Sequence, residues 1–222
     1  MNKAAVEQSL INIKTLFGSI IQSNNVNINT NVISWDNYKP GIISNVSYLR
    51  EYQKLLDSQQ YSYLLIDNSF FQFYFDYNSK GELVKCRLAY YPKPELAPET
   101  ADDLAEYSST ASDFLADIMD EVALEMLEHE TRLTQNSHLR FDYDSEVKSH
   151  SKCHLQFGGI NDFRIASRHL VLPFAFFSKI VSDFAPSLLE GKTDKPAFNS
   201  GLRHATNKAY EFSENDIFTI NC

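Results

Sequence analysis

The chain has 222 residues, of which 43% are hydrophobic, including 16 Phe and 12 Tyr, so it carries enough apolar material for a buried core. With only 7 Gly and 7 Pro, the composition excludes a disordered or low-complexity protein. Cys86, Cys153 and Cys222 are widely spaced and include no Cys-x-x-Cys pair, so a cysteine-based zinc site is not expected. No cofactor is predicted.

The formal net charge of −9 comes from one segment. Residues 99–130 contain eleven acidic residues and neither Lys nor Arg, whereas the remainder holds 18 acidic and 20 basic residues. Outside this segment the balance is therefore +2. The balance of +2 does not exclude a nucleic-acid ligand. It does not predict one either, because no strongly basic patch is present.

The first residues do not have the pattern of a signal peptide. No stretch of about 18 apolar residues follows, so no membrane span is expected. Together with the odd number of scattered cysteines, this predicts a cytoplasmic protein that does not contact a membrane.

Apolar residues at intervals of three or four predict helices in four places. The first covers about 6–20. The second covers about 45–58, with Leu49, Tyr52 and Leu56 on its core face. The third runs from Thr100, where the spacing to Asp103 resembles a capping box, to about residue 132.

The fourth helix is predicted to begin at Pro173, a residue that suits the first helical turn. Its predicted core face is Phe177, Ile180, Val181 and Phe184. The segment that follows, 187–201, contains Gly and Pro and is predicted to be a loop.

Alternating apolar and polar residues predict the strands. They are expected at 32–35, 61–66, 69–76, 83–91, 138–143, 152–157, 162–166 and 216–220. The polar segment 24–31 is predicted to be turn-like. Consecutive hairpins favour an α+β fold with a mostly antiparallel sheet and about four helices packed on one face. The prediction is a single domain, 1–222, with an N-terminal helical part of about 1–58 and a sheet-containing core of about 59–222.

Three neighbouring predicted strands place unusual polar residues on one face, because strand side chains alternate between faces. The residues expected on this face are His138, Arg140, Asp142, Lys152, His154, Gln156, Asp162 and Arg164. Arginines, histidines and aspartates in this pattern suit a phosphate or a proton-transfer step better than an ordinary solvated face.

The first site hypothesis is a phosphate-handling site in which His154, Arg140 and Arg164 are catalytic. A histidine can move a proton near neutral pH, and two guanidiniums can hold a phosphate and stabilise transition-state charge. These groups would suffice for metal-independent RNA cleavage, with His138 or His150 as a second acid or base and Tyr91 or Tyr74 supplying a hydroxyl. The residues expected to bind the ligand are Asp142, Gln156, Arg87, Tyr91 and His138. The opposing interpretation is that Arg140 with Asp142, and Arg164 with Asp162, are structural ion pairs.

Two further site hypotheses come from the same region. Asp142, Asp144, His150 and His154 are potential metal ligands, although no established metal motif is present. Arg132 precedes His138 by a spacing typical of a helical ribonuclease family, although here the two straddle a predicted helix end and a strand.

Several local motifs together resemble an uncharacterised bacterial family, number 2290 among the domains of unknown function. They are DNSFFQF at 67–73, RLAYYPKP at 87–94, LRFDYD at 139–144, HLQFGG at 154–159 and Arg164-Ile165. The resemblance implies no activity. Such genes resemble those of mobile elements and defence islands, which favours a toxin-like or phage-defence role. The Arg-Phe-Asp-Tyr-Asp and His motifs are also loosely similar to those of small toxin ribonucleases.

The function expected from these observations is a bacterial toxin-like or phage-defence protein that acts as a ribonuclease or other phosphate-handling enzyme. RNA or a nucleotide is the corresponding partner. The alternative is a non-catalytic subunit of a defence or toxin–antitoxin complex. In that case the acidic segment 99–130 or an apolar surface docks a protein partner encoded nearby.

Overall fold

The computed structural model describes residues 1–40, 48–97, 132–134, 137–158, 164–207 and 210–211. Its contacts divide the chain into two compact units, one of residues 1–93 and 137–222 and one of residues 94–136. That the whole chain is a single domain stays a prediction. In the described part of the chain, no helix has both the length and the apolar character needed to span a membrane.

The described helices are α1 (Lys3–Phe17), α2 (Tyr48–Asp57), α3 (Pro173–Phe184) and α4 (Pro196–Asn207), with a 3₁₀ turn at Pro186–Leu189. The Asn2 side chain caps α1 by accepting a hydrogen bond from the Ala4 amide at 2.8 Å. The Ser9 hydroxyl, buried in α1, accepts one from the Phe174 amide at 2.7 Å. Since the first amides of a helix have no intrahelical partner, this second bond fixes the start of α3 against α1.

The main sheet contains nine strands, and all of its pairings are antiparallel. They are β1 (Ile21–Asn24), β2 (Val26–Ile28), β3 (Val32–Trp35), β4 (Tyr63–Leu65), β5 (Phe70–Tyr77), β6 (Leu83–Tyr91), β9 (Leu139–Asp144), β10 (Cys153–Phe157) and β11 (Arg164–Ala166). The order along the sheet is β1-β4-β5-β6-β9-β10-β11, and the β2–β3 hairpin joins β5 through β3.

Two short strand pairs lie outside this sheet. In the smaller unit β7 (Glu95–Ala97) pairs with β8 (Arg132–Thr134), and in the larger unit β12 (His169–Leu170) pairs with β13 (Tyr210–Glu211).

The core lies between one face of the sheet and the helices α1, α3 and α4. Phe71, Phe73 and Phe75 alternate along β5 towards these helices and are fully buried. The Phe177 ring of α3 lies 4.6 Å from that of Phe71 and 4.9 Å from that of Phe17. Most of the described phenylalanines therefore pack into this layer.

The predicted α+β fold with a mostly antiparallel sheet is confirmed, but α2 occupies the opposite face of the sheet from the other helices. Its residues Tyr48, Tyr52 and Leu55 pack with Phe70 and Tyr91 on the polar side. The prediction that all helices share one face was therefore wrong. Of the three residues predicted for one side of α2, Tyr52 is buried and Leu56 packs against the same cluster, whereas Leu49 is 45% exposed.

Three other predictions differ from the structure. Within the predicted turn-like segment 24–31, Asn24 ends β1 and Val26–Ile28 form β2, whereas 29–31 are the bend that connects β2 to β3. Residues 187–201 contain a 3₁₀ turn and the start of α4, because Pro196 begins a helix instead of breaking one. Phe184 is 62% exposed and lies outside the core face of α3.

Some predictions fall on residues outside the described ranges. These are most of the third helix, 100–132, Asp162 in the predicted strand 162–166, and the final strand, 216–220. Arg132 itself lies in a strand, so a helix that includes it was wrong.

Candidate functional site

Six of the predicted polar residues form two rows, one across β6, β9 and β10 and the other across β9, β10 and β11. In one row Arg87, Asp142 and His154 are register partners on successive strands. In the next row Arg140, Gln156 and Arg164 are partners in the same way. Because paired residues of neighbouring strands point to the same side, all six lie on one face.

A cavity of about 480 Å³, here called the large cavity, lies over these rows. Its basic and imidazole side chains are Lys85, Arg87, Arg140, His150, His154 and Arg164. Its aromatic wall consists of Trp35, Tyr38 and Tyr74, and the rings of Tyr38 and Tyr74 stack at 4.9 Å. The volume falls within the range of small-molecule sites, about 300–1,000 Å³.

A second cavity of about 280 Å³, the small cavity, is bounded by α2, the segment 35–40 and the sheet. The four residues that line both cavities are Trp35, Tyr38, Arg87 and Arg140. The two cavities therefore adjoin at a pair of guanidinium groups and an aromatic wall.

Asp142 orients both of these guanidiniums. Its Oδ1 accepts a hydrogen bond from Arg87 Nε at 3.2 Å, and its Oδ2 accepts from Arg140 Nε at 3.0 Å and from Arg140 Nη2 at 2.6 Å. Burial alone would raise the pKa of Asp142, but the two guanidiniums outweigh it and hold the pKa below its usual value. The carboxylate is therefore charged at neutral pH, and the trio carries a net charge of +1.

The ion pairs leave donors for a ligand. A guanidinium has five N–H donors, of which Asp142 takes one from Arg87 and two from Arg140. Phosphate oxygens accept such N–H groups in fork geometry. The structural interpretation of the Arg140–Asp142 pair and the binding interpretation are thus compatible.

His154 is buried in the large cavity's floor, with 4% of its surface exposed. Its Nδ1 lies 3.2 Å from the Ser151 carbonyl oxygen and its Nε2 lies 3.3 Å from Gln156 Oε1. Burial lowers the pKa of His154, so the ring is neutral at neutral pH. Since the Ser151 carbonyl oxygen only accepts, it favours the form protonated at Nδ1. Nε2 is then a proton acceptor when the Gln156 amide is turned so that its NH2 group, instead of Oε1, faces the ring.

Of the two candidate partner histidines, His150 is the one whose ring contacts that of His154. The two rings are 4.8 Å apart and nearly perpendicular, and His150 is exposed. His138, the other candidate, lines neither cavity. Its ring lies 4.9 Å from that of Tyr91, and its Nδ1 lies 3.3 Å from Glu51 Oε2 beneath α2.

The tyrosines of the site are hydroxyl donors rather than acids or bases. Burial raises the pKa of Tyr74 to about 12 and that of Tyr91 further above its usual value. Tyr91 Oη donates a hydrogen bond to Glu51 Oε1 at 3.4 Å. Cys153 packs in the core on the other face, where burial raises the pKa of its thiol to about 12, so it is not a nucleophile.

The metal-site hypothesis gains no support from the geometry. Within the described ranges, no three His, Cys, Asp or Glu side chains converge closely enough to hold a metal ion. Asp144 instead pairs with Lys85, the oxygen and nitrogen being 3.1 Å apart.

The sequence pointed to Tyr74 and Tyr91 but not to the other wall residues of the two cavities. Trp35 and Tyr38 lie in and after a short strand, and Glu51 and Leu55 lie on α2, about 90 residues before the polar strands. No periodicity links these segments to the polar face. The one sequence feature that pointed to a wall residue missed here was the position of Glu51 on a helix with a strongly polar sequence.

The conserved-family comparison covers nearly the whole chain. Residues 19–221 match the model of a family described as an uncharacterized conserved protein, DUF2290. The chain belongs to this family. The match begins well before the second helix, so it extends further than the motifs that first pointed to DUF2290. No curated protein and no solved structure matches the chain.

Proposed function

We propose that this DUF2290 protein is a metal-independent ribonuclease whose active site is the large cavity. The observation that carries the proposal is the row Arg87–Asp142–His154 beside the row Arg140–Gln156–Arg164, with His150 against His154. Oriented guanidiniums beside a pair of imidazoles supply phosphate binding and proton transfer together.

In the proposed reaction the ribose 2′-hydroxyl attacks the adjacent phosphorus and the bond from phosphorus to the 5′-oxygen breaks. His154 Nε2 takes the proton of the 2′-hydroxyl, and His150, when protonated, gives a proton to the departing 5′-oxygen. The products are a 2′,3′-cyclic phosphate and a 5′-hydroxyl. Arg87 and Arg140 hold the phosphate oxygens, and Asp142 is a positioning residue.

The test is cleavage of single-stranded RNA by the purified chain in the presence of a metal chelator. Removing an acid–base group or a charge-stabilising donor typically costs about 100-fold or more in rate. His154→Ala and Arg140→Ala should therefore each lose at least that much, while Arg203→Ala, an exposed change on α4, keeps full activity. Melting curves show whether each variant is folded.

A growth experiment in cells tests the toxin-like or phage-defence role. The support for this role is that genes of the family resemble those of mobile elements and defence islands. A bacterial host that expresses the wild type should stop growing and its RNA should fragment, whereas the Arg140→Ala/His154→Ala double variant should permit growth. Equal growth and intact RNA would contradict a stand-alone toxin.

A non-catalytic role is the second candidate, and one observation favours it. Asp142 neutralises half of the charge of Arg87 and Arg140, as in an ordinary structural network. The corresponding role is a partner subunit of a defence or toxin–antitoxin complex. A folded wild type that binds phosphate groups without cleaving RNA would favour it. Placement in the cytoplasm stays a prediction.

A further inference from the structure

We infer that the small cavity is a base-binding subsite that selects guanine. The inference rests on the proposed function, because it supplies the base whose phosphate the large cavity handles. Tyr38, Pro40 and Leu55 give this cavity apolar and aromatic walls on two different elements. A planar ring suits such walls, since proteins that read single-stranded RNA stack its bases on aromatic side chains.

Glu51 supplies the hydrogen-bond acceptors that would contact the edge of the base. Its side chain is 19% exposed, and it enters the small cavity from α2. Tyr91 Oη donates to one of its oxygens, and His138 Nδ1 lies 3.3 Å from the other. A carboxylate has about four acceptor positions, so each oxygen keeps one for a ligand.

The side-chain amides of Gln60 and Gln72 also line the small cavity, and they differ in their hydrogen bonding. Gln60 makes four hydrogen bonds, to Trp35, Lys39, Asn37 and Ser58, and so builds the wall. Gln72 donates one N–H to the Gln60 carbonyl at 2.7 Å. Its side-chain oxygen accepts no hydrogen bond from any of the described residues, so it can accept one from a base.

The Glu51 carboxylate in this lining fits guanine best among the four RNA bases. Guanine presents N1–H and the N2 amino group side by side, and one carboxylate accepts both. Adenine places the acceptor N1 at the same position, which Glu51 would repel. Uracil and cytosine each present a single donor group on that edge. Bidentate hydrogen bonding to the edge of a base is a common basis of base discrimination.

The position of the two arginines agrees with this assignment. Arg87 and Arg140 line both cavities, so a phosphate attached to a nucleoside in the small cavity lies within the reach of both. His154 and His150 line the large cavity together with the same two arginines, so they are the groups that would act on the neighbouring phosphodiester.

The first experiment uses the wild-type chain with four nucleotides and inorganic phosphate, and the affinities are measured by calorimetry. GMP should bind at least about tenfold more tightly than IMP, which lacks the N2 amino group, and than 1-methyl-GMP, which lacks N1–H. AMP should bind no better than inorganic phosphate. Trp35 is the single tryptophan and lines both cavities, so its fluorescence should change on GMP binding.

The second experiment compares two changes of the same kind on α2. Glu51→Gln should lower the affinity for GMP by about tenfold or more and leave that for inorganic phosphate unchanged. Asp57→Asn, at an exposed residue that contacts Gln53, should leave both unchanged.

The outcomes separate the inference from the proposed function. Equal affinities for GMP, IMP and AMP, or GMP binding without any change in Trp35 emission, would overturn the guanine subsite while RNA cleavage stands. RNA cleavage that is absent while GMP selectivity persists would overturn the ribonuclease and retain the subsite.

Discussion

Asp142 shows how one carboxylate organises the polar face at the scale of a single residue. It lies between Arg87 on the neighbouring strand and Arg140 two positions away on its own strand. Its side chain is only 15% exposed, so the loss of its solvation has to be offset by both guanidiniums. The lowered pKa of Asp142 means that this contribution to stability is present above about pH 4 and is lost as the pH falls below it.

His154 should make the stability of the protein depend on pH in the range where a free histidine titrates. Burial lowers the pKa of His154, so on acidification below about pH 6.5 the unfolded chain takes up a proton before the folded chain does. The free energy of unfolding should therefore fall between pH 7.5 and pH 5.5. Urea titrations at both values should show a smaller fall for His154→Gln. The same fall in the variant would contradict a buried, neutral His154.

At the scale of elements, the contact between α3 and α4 depends on a glycine inside a helix. A Cβ added at Gly201 would lie 2.8 Å from Phe174 Cζ. The Phe174 ring is fully buried between Phe17 and Phe198, with centroids 6.0 and 5.8 Å away, so it has little room to move. Gly201 therefore permits the close approach of the two helices, which compensates for its low helix propensity.

Gly201→Ala should destabilise the protein despite the better helix propensity of alanine. The propensity gain is about 1 kcal/mol, whereas overpacking of a full core costs about 1–3 kcal/mol. We expect a net loss of about 1 kcal/mol in the free energy of unfolding, measured by denaturant titration. Ser200→Ala, on the exposed side of α4, should instead be neutral or slightly stabilising. A stabilised Gly201→Ala would show that the helices can separate without cost.

At the scale of the whole molecule, the two faces of the sheet have different roles. One face buries the phenylalanines of β5 beneath α1, α3 and α4, and supplies the larger share of the core. The other face carries the charged rows, and among the described elements α2 packs on it at one end. Stability is thus concentrated on the helical face, whereas the two cavities lie on the polar face.

Substitutions at two phenylalanines of α3 test whether stability is concentrated on the helical face. Phe177 is fully buried against Phe17 and Phe71, so Phe177→Ala should lower the free energy of unfolding by about 3–5 kcal/mol. Phe184 is 62% exposed and contacts only the Tyr90 ring among the described aromatic residues, so Phe184→Ala should cost about 1 kcal/mol or less. Denaturant titration of both variants measures the difference, and similar losses would contradict the core described above.

The sequence by itself determined the strands β5, β6, β9 and β10 and the face on which Arg140, Asp142, His154 and Gln156 lie. The reason is that alternation along a strand is a local property with a period of two residues. The start of α3 at Pro173 and the α+β class were predictable on similarly local grounds.

Only the tertiary structure decided what surrounds that face. The register between β6 and β9 places Arg87 opposite Asp142, although 55 residues separate them in the chain. The packing of α2 brings Glu51 over the sheet, and the segment after β3 brings Tyr38. These contacts depend on how distant segments fold back on one another, which no local periodicity encodes. The cavities therefore became visible only once the strands were paired.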